Sequence, residues 1–237
     1  MQIYPIKTKV FKENDSLFEF IIKYVKNIRE NSVFVITSKI VALSEGRTLV
    51  YKNKKQKIAL IKKEGRIAIE TKLVWLTLKD NVFMADSGVD ESNGNGKLIL
   101  LPKDSFSSAR KIRSLLCKHY KVKNLGVIIS DSGLLPFRNG VIGMARGYAG
   151  FKGIKDYKGE KDIFGRKLIY SKTDIADSLA TAATVCMGEG REKQPLALIT
   201  DAPVVFVNKV GRKELKINPK KDIFYPLIKN LLNEKRS

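Results

Sequence analysis

The sequence predicts an α+β protein built on a mixed sheet with a β-hairpin and packed helices, and three observations carry that prediction. Short apolar runs rich in β-branched residues, at Ser32 to Thr37, Leu125 to Ser130 and Leu196 to Thr200, have the length and flanks of buried strands. Longer stretches with apolar residues every third or fourth position, such as Ser105 to Tyr120 and Asp174 to Cys186, have the period of helices. The two kinds alternate irregularly. Trp75 to Leu78 and Val82 to Ala85 flank Lys79-Asp80-Asn81 as a hairpin, which favours a mixed sheet over a regular parallel one.

Taken in order, Ile3 to Phe11 alternates loosely and reads as an opening strand. Ser16 with Glu19 forms a capping box, and Leu17, Phe18, Ile21, Ile22 and Val25 put an apolar stripe on a helix running to about Ile28. After the strand Ser32 to Thr37, the segment Ser38 to Arg47 reads as a short helix closed by Gly46. Lys52 to Lys63 is basic and helical, and Leu98 to Pro102 is a short apolar run. Gly94-Asn95-Gly96-Lys97 lacks the upstream glycine and the following Ser or Thr of a phosphate loop, so it reads as a turn. Leu168 to Ser171 is strand-like, and helix resumes at Thr173 or Asp174. There Ile175, Leu179, Ala182 and Cys186 form a stripe expected to be buried, with Ala176, Ala180 and Ala183 permitting close packing. Ile223 to Leu232 is a terminal helix, started late or kinked by Pro226. With no repeat and no linker, residues 1–237 form a single domain, divisible at most into two lobes.

Composition removes several chemistries. At 237 residues and 43% hydrophobic content the chain can bury a real core. It contains no apolar run long enough to cross a bilayer, and its opening residues lack a signal peptide's pattern, so the expectation is a soluble cytoplasmic protein. Cys117 and Cys186 are expected to be buried free thiols. The single histidine, His119, lies in a basic helical stretch and reads as a surface residue, so any metal must be held by hard oxygen donors, which suit magnesium or manganese. The net charge of +21 fits a nucleic-acid partner, a polyanionic small substrate or a generally Lys-rich surface. Because Lys is dispersed and far outnumbers Arg, solvation explains most of it. A basic nucleic-acid-binding protein remains the alternative of another class.

Function is most legible at the end of the run Leu125 to Ser130. There Asp131-Ser132-Gly133 places a carboxylate beyond the carboxyl end of a strand, where ligands collect in helix-covered sheets. The segment from Phe137 to Arg166 is crowded with glycine and charge. So many glycines are entropically costly unless backbone is closely approached, by a ligand for example, or the segment is a surface loop with turn glycines. Asp90, Asp131 and Glu189 each end a regular element beside a glycine, which is how distant acids can meet at one site, though caps and solvated loops share that pattern.

The order of these motifs resembles that of the coenzyme F-420 γ-glutamyl ligase family. The matching pieces are Ser44-Glu45-Gly46-Arg47, Gly88 to Asn93, Leu100-Leu101-Pro102, Ser130-Asp131-Ser132, Arg138-Asn139-Gly140 through Gly150, Asp156-Tyr157 with Gly159, Asp162 to Arg166, and Asp174 to Gly190. The resemblance implies a homodimer that joins L-glutamate to a deazaflavin acceptor, using GTP and two Mg or Mn ions. It implies that Asp90 and Asp131 hold one ion and that Ser132 and Glu189 contribute to the second. It also implies that Ser38, Asn93 and the segment Met187, Gly188, Gly190 to Gln194 contact the nucleotide, and that Asp131 with Arg138 serves catalysis. Arg138, Arg146 and Arg166 are candidates for gripping phosphate or carboxylates in bidentate fashion; Arg138 could equally pair with a structural Asp.

This chain departs from the family's pattern in places. Leu43-Ser44 stands where relatives place a Lys before Ala-Glu-Gly-Arg, so that nucleotide contact is lost or moves to Lys39, and ATP joins GTP as a candidate. Pro5-Ile6-Lys7 replaces the family's Pro-Val-Glu. After Ser132 the chain runs through Leu134, Leu135 and Phe137 instead of Gly-Arg, which suggests a different acceptor surface and makes a folate the second choice of acceptor.

Overall fold

The computed structural model describes residues 1–233. In chain order the elements are β1 (Gln2–Ile6), α1 (Leu17–Tyr24), β2 (Ser32–Thr37), α2 (Ser38–Ser44), β3 (Thr48–Val50), α3 (Lys54–Glu64), β4 (Ile67–Glu70), β5 (Trp75–Lys79), β6 (Val82–Ala85), β7 (Lys97–Ile99), α4 (Ser105–Tyr120), β8 (Leu125–Gly133), β9 (Ile142–Ala149), β10 (Ile154–Asp156), β11 (Lys172–Asp174), α5 (Ile175–Met187), β12 (Leu196–Thr200) and α6 (Tyr225–Asn233). The expected α+β class with a mixed sheet is present. Five strands form the main sheet in the order β1-β12-β2-β8-β9, with β2 and β8 parallel and the other neighbours antiparallel.

The near-continuous apolar character of β2 and β8 follows from burial on both faces. Phe34, Ile36, Val127 and Ile129 pack beneath α1, α2 and α4 with Ile21, Val41, Ile112 and Leu116. Val33, Val35 and Ile128 face the other way and meet Ala176, Leu179, Ala180 and Ala183 of α5, together with Tyr148 and Phe151. Between β2 and β8 the chain builds a smaller unit, in which Ile61, Val89, Leu98 and Leu100 form a separate core and β4-β5-β6 a three-stranded sheet. The predicted hairpin is β5–β6, and Asp80 and Asn81 turn it with positive φ.

Capping sets several boundaries, at Ser16 as expected and at Asp104 and Asp174 besides. Asp104 accepts from the Ser107 amide at the start of α4, Asp174 from the Asp177 amide at the start of α5, and Ser16 from the Glu19 amide at the start of α1. α1 stops at Tyr24 and not near Ile28, and the opening strand stops at Ile6, before Lys7. The strand-like run Leu168 to Ser171 is not a strand; pairing begins at Lys172. Pro226 sits in the first turn of α6, where its missing N–H costs nothing.

The glycine-rich segment is the largest departure. Residues 142–149 form β9, an edge strand of the main sheet, and its glycines answer to helices. A Cβ on Gly143 would lie 2.4 Å from the Ala180 carbonyl of α5, and one on Gly147 2.4 Å from the Ser105 backbone of α4. Close backbone approach was the correct inference, and neighbouring helices are what approach. α5 correspondingly buries Ala176, Leu179, Ala180, Ala183 and Met187, which rotates the expected stripe and leaves Cys186 exposed. Cys117 is half-buried, and both thiols are free. His119 is exposed, as expected, with its ring edge-on to Phe18.

Candidate active site

The parallel register of β2 and β8 builds the centre of the site. Thr37 stands opposite Ser130, so Ser38 and Asp131, which follow, lie side by side where the parallel pairing ends; β8 itself runs on to Gly133 against β9, so Asp131 lies within the strand and not beyond its end. Ser38 Oγ donates to Asp131 Oδ1 at 2.8 Å. Side chains alternate along a strand, so Asp131 shares the face of Ile129, toward α2, while Ser132 shares the face of Ile128, toward α5. There Ser132 Oγ donates to Oε2 of Glu189, in the loop after α5, at 2.8 Å.

Asp90 arrives from the smaller unit. Its backbone exchanges two hydrogen bonds with Ile99, which holds it at the end of β7. The adjacent residue of α2, Lys39, reaches across and donates to Asp90 Oδ2 at 2.7 Å, to the Ser92 carbonyl at 2.9 Å and to Ser92 Oγ at 2.8 Å. Burial alone would raise the Asp90 carboxyl, but the Lys39 hydrogen bond and charge and the Ser92 amide and hydroxyl outweigh it and hold the carboxyl below its ordinary range. The dipeptide Ser38-Lys39 thus joins Asp131 to Asp90, and the dipeptide Asp131-Ser132 joins both to Glu189.

The nucleotide candidates fall into two groups. Thr37 donates its amide to the Pro195 carbonyl at 3.0 Å and Thr8 donates to the Lys193 carbonyl at 2.8 Å, which brings the strand after Gln194 alongside the start of α2. Gly188 ends α5 with φ of 80°, and the Gly190 amide donates to Glu192 at 2.8 Å. Met187 is buried among the residues of the second core, so its side chain packs there and only its backbone can meet a ligand. Asn93 is exposed with positive φ in the turn closed by Gly94 N–H on the Glu91 carbonyl, and the Gly94 to Lys97 segment is indeed a turn.

The three arginines separate sharply. Arg138 lies in an exposed turn, its amide on the Leu135 carbonyl. Arg166 is exposed in a turn that Asp162 closes on itself. Arg146 has its side chain only 7% exposed and turned to the Asp131 carboxylate. Sequence reading also missed Ser92, the hydroxyl that completes the Lys39 and Asp90 pairing; its place two residues after Asp90 was the available signal.

Among the described residues no three His, Cys, Asp or Glu side chains gather closely enough to hold an ion by themselves. The acids therefore do not converge on one point as the sequence alone allowed. Each is matched with its own donor, which avoids the repulsion that bare neighbouring carboxylates would suffer. The donor set is nonetheless all oxygen, with two carboxylate–hydroxyl pairs and a third carboxylate already bearing a cationic group. That chemistry suits magnesium or manganese.

Fold and site define a class: an α+β protein that presents carboxylates and hydroxyls at the carboxyl end of a parallel strand pair. Residues 5–201 match the family model described as F420-0:Gamma-glutamyl ligase. The chain is 36% identical to the coenzyme F420:L-glutamate ligase of Methanococcus maripaludis strain C7, covering 94% of this chain and 97% of that protein. It is 35% identical to the protein of the same name from Methanocaldococcus jannaschii over 94% and 96% of the two chains, and 27% identical to that of Archaeoglobus fulgidus over 84% and 87%. The chain belongs to the F420-0:Gamma-glutamyl ligase family. No described helix is long and apolar enough to cross a membrane.

Proposed function

We propose that this protein is an amide-forming ligase that attaches L-glutamate in γ-linkage to a deazaflavin precursor of coenzyme F-420, driven by GTP. The observation that carries the reading is that the family match over residues 5–201 contains every candidate side chain from Ser38 to Gln194. A carboxylate does not react with an amine at neutral pH, so the acceptor carboxylate first takes the terminal phosphoryl group, with release of the nucleoside diphosphate. The glutamate nitrogen then attacks the acyl carbon, phosphate leaves, and the ammonium loses its proton.

Each residue has a task that its chemistry permits. Asp90 and Asp131 would hold one hard cation, and Ser132 with Glu189 would contribute to a second. Bound Mg or Mn neutralises phosphate oxygens and aligns donor with acceptor. Ser38 keeps Asp131 oriented. Lys39, which pairs with Asp90, would supply the charge to the nucleotide that the Lys displaced by Leu43 supplies in relatives. Gly188, Gly190 and Gln194 belong to the loop after α5 that carries Glu189, where the nucleotide would be met. Leu134, Leu135 and Phe137 are exposed beyond β8 and face the acceptor.

The test is direct. Purified protein is incubated with L-glutamate, manganese, GTP or ATP, and a deazaflavin or a folate acceptor, and the products are weighed. One glutamyl residue added to the deazaflavin with GTP supports the reading. Addition only to folate would reassign the acceptor, and addition only with ATP would reassign the nucleotide. No addition, with tight and salt-sensitive nucleic-acid binding, would replace the reading altogether.

A further inference from the structure

The buried arginine has no part in the chemistry above, yet it is built into the strand pair with care. Along β8 and β9, Ile129 faces Gly147 while Ser130 faces Ala145, so Arg146 is an extra residue in β9. Such a bulge bends the strand and re-aims a side chain, and bulges concentrate beside active sites. Here it turns the guanidinium toward the end of β8. Nη2 donates to the Ser132 carbonyl at 2.9 Å. Nε lies 3.4 Å from Asp131 Oδ2, an ion pair without hydrogen-bond geometry, so this buried N–H has no hydrogen-bond partner. Behind it, Asp177 of α5 accepts the Ala145 amide at 2.8 Å, and the Arg146 charge opposes the upward push of burial on that carboxyl.

Three constraints converge on one group. Burying a guanidinium is unfavourable unless opposite charge compensates it; Asp131 does so at 3.4 Å, and the charge of Asp177 adds to it without an ion-pair contact. Holding the Ser132 carbonyl and not its hydroxyl leaves Ser132 Oγ free to meet Glu189. Contacting Asp131 through its second oxygen leaves Oδ1 to Ser38. The guanidinium therefore bridges the Asp131 carboxylate and the carbonyl of the Ser132–Gly133 peptide, one contact on each of the two residues.

We propose that Arg146 is a positioning residue that fixes Asp131 and Ser132 as one unit and so couples the two cation-holding pairs. The proposal rests on the function assigned above. It does not make Arg146 a substrate ligand.

The experiment compares wild type with Arg146→Lys, Arg146→Met and Asp131→Asn. Free Mn2+ is counted by electron paramagnetic resonance to give its affinity, beside the melting midpoint and the KM for glutamate. A partner that orients a ligating group changes metal affinity by about 10- to 100-fold. The expected result is about 10-fold weaker manganese binding in the Lys variant, which keeps the charge but cannot span both oxygens, and a larger loss in the Met variant, with the glutamate KM little changed. Lowered melting midpoints with unchanged manganese affinity of the folded protein would reduce Arg146 to a structural residue and overturn the proposal. If the Met variant does not fold, the Lys variant alone decides on the same criterion. Loss of binding in Asp131→Asn with normal binding in Arg146→Lys sinks the positioning role and leaves the function standing. Wild-type protein that binds no manganese sinks both.

Discussion

Ser38 Oγ and Asp131 Oδ1 lie 2.8 Å apart although 93 residues separate them in the chain. The parallel register of β2 and β8 produces the contact, since Thr37 opposite Ser130 leaves the next two residues adjacent. Asp131→Asn retains an oxygen for Ser38 to donate to but removes the charge. The expected outcome is a folded protein destabilised by about 1–3 kcal/mol, because the buried Arg146 loses one of its counter-charges, with manganese binding lost and turnover reduced by about 100-fold or more. Circular dichroism melting, manganese titration and product mass check the three parts.

Lys39 occupies Asp90 as a cation would, with contacts of 2.7 to 2.9 Å on Asp90 and Ser92. Lys39→Met removes that competitor. Manganese affinity should rise or stay equal, while nucleotide affinity falls by about 10-fold, the order of one lost charge-assisted hydrogen bond. Calorimetric titration of each ligand separately distinguishes this from a purely structural ion pair, for which stability alone would change.

The start of α5 carries a pH dependence of stability. Burial, aided by the neighbouring Asp177, raises the Asp174 carboxyl to about 6 from an ordinary 3.8. The folded protein then binds a proton there that the unfolded chain has released, so this contribution is greatest at low pH and is lost as pH rises from about 4 through 6. Asp174→Asn stays neutral and still caps the helix. Its stability relative to wild type should increase by about 1 kcal/mol between pH 4 and pH 8, after allowance for solvent screening at a half-exposed site. Urea unfolding at the two pH values measures it, and a variant that loses relative stability at pH 8 would contradict the assignment.

Gly143 is where β9 touches α5. An added methyl would meet Thr184 Oγ1 at 2.2 Å and the Ala180 carbonyl at 2.4 Å. Gly143→Ala should therefore destabilise by about 1–3 kcal/mol, the cost of overpacking, and displace Ser132, its partner across the strands. An equal or higher melting midpoint in the variant would mean that the helix moves aside freely.

Much of the architecture was readable because it rests on local signals. The Ser16 cap, the continuous apolar runs of β2 and β8, and the turn-forming Asp80-Asn81 each act within a few residues. β9 was not readable as a strand. Its glycines weaken strand propensity, and the reason for them, the backbones of α4 and α5 pressed against Gly147 and Gly143, lies far away in the chain. The same approach explains Cys186: the helix turns its line of small residues to β9 and leaves the thiol outward.

By itself the sequence determined the α+β class, the positions of the principal helices and the roster of acids and hydroxyls at element ends, because periodicity, capping and residue chemistry are properties of short segments. Tertiary structure alone decided who stands beside whom. Strand register set Ser38 against Asp131, the return of the smaller unit gave Asp90 to Lys39, and a single extra residue in β9 buried Arg146 behind the site. Those pairings depend on hydrogen-bond registers and packing between segments tens of residues apart, which no local pattern encodes.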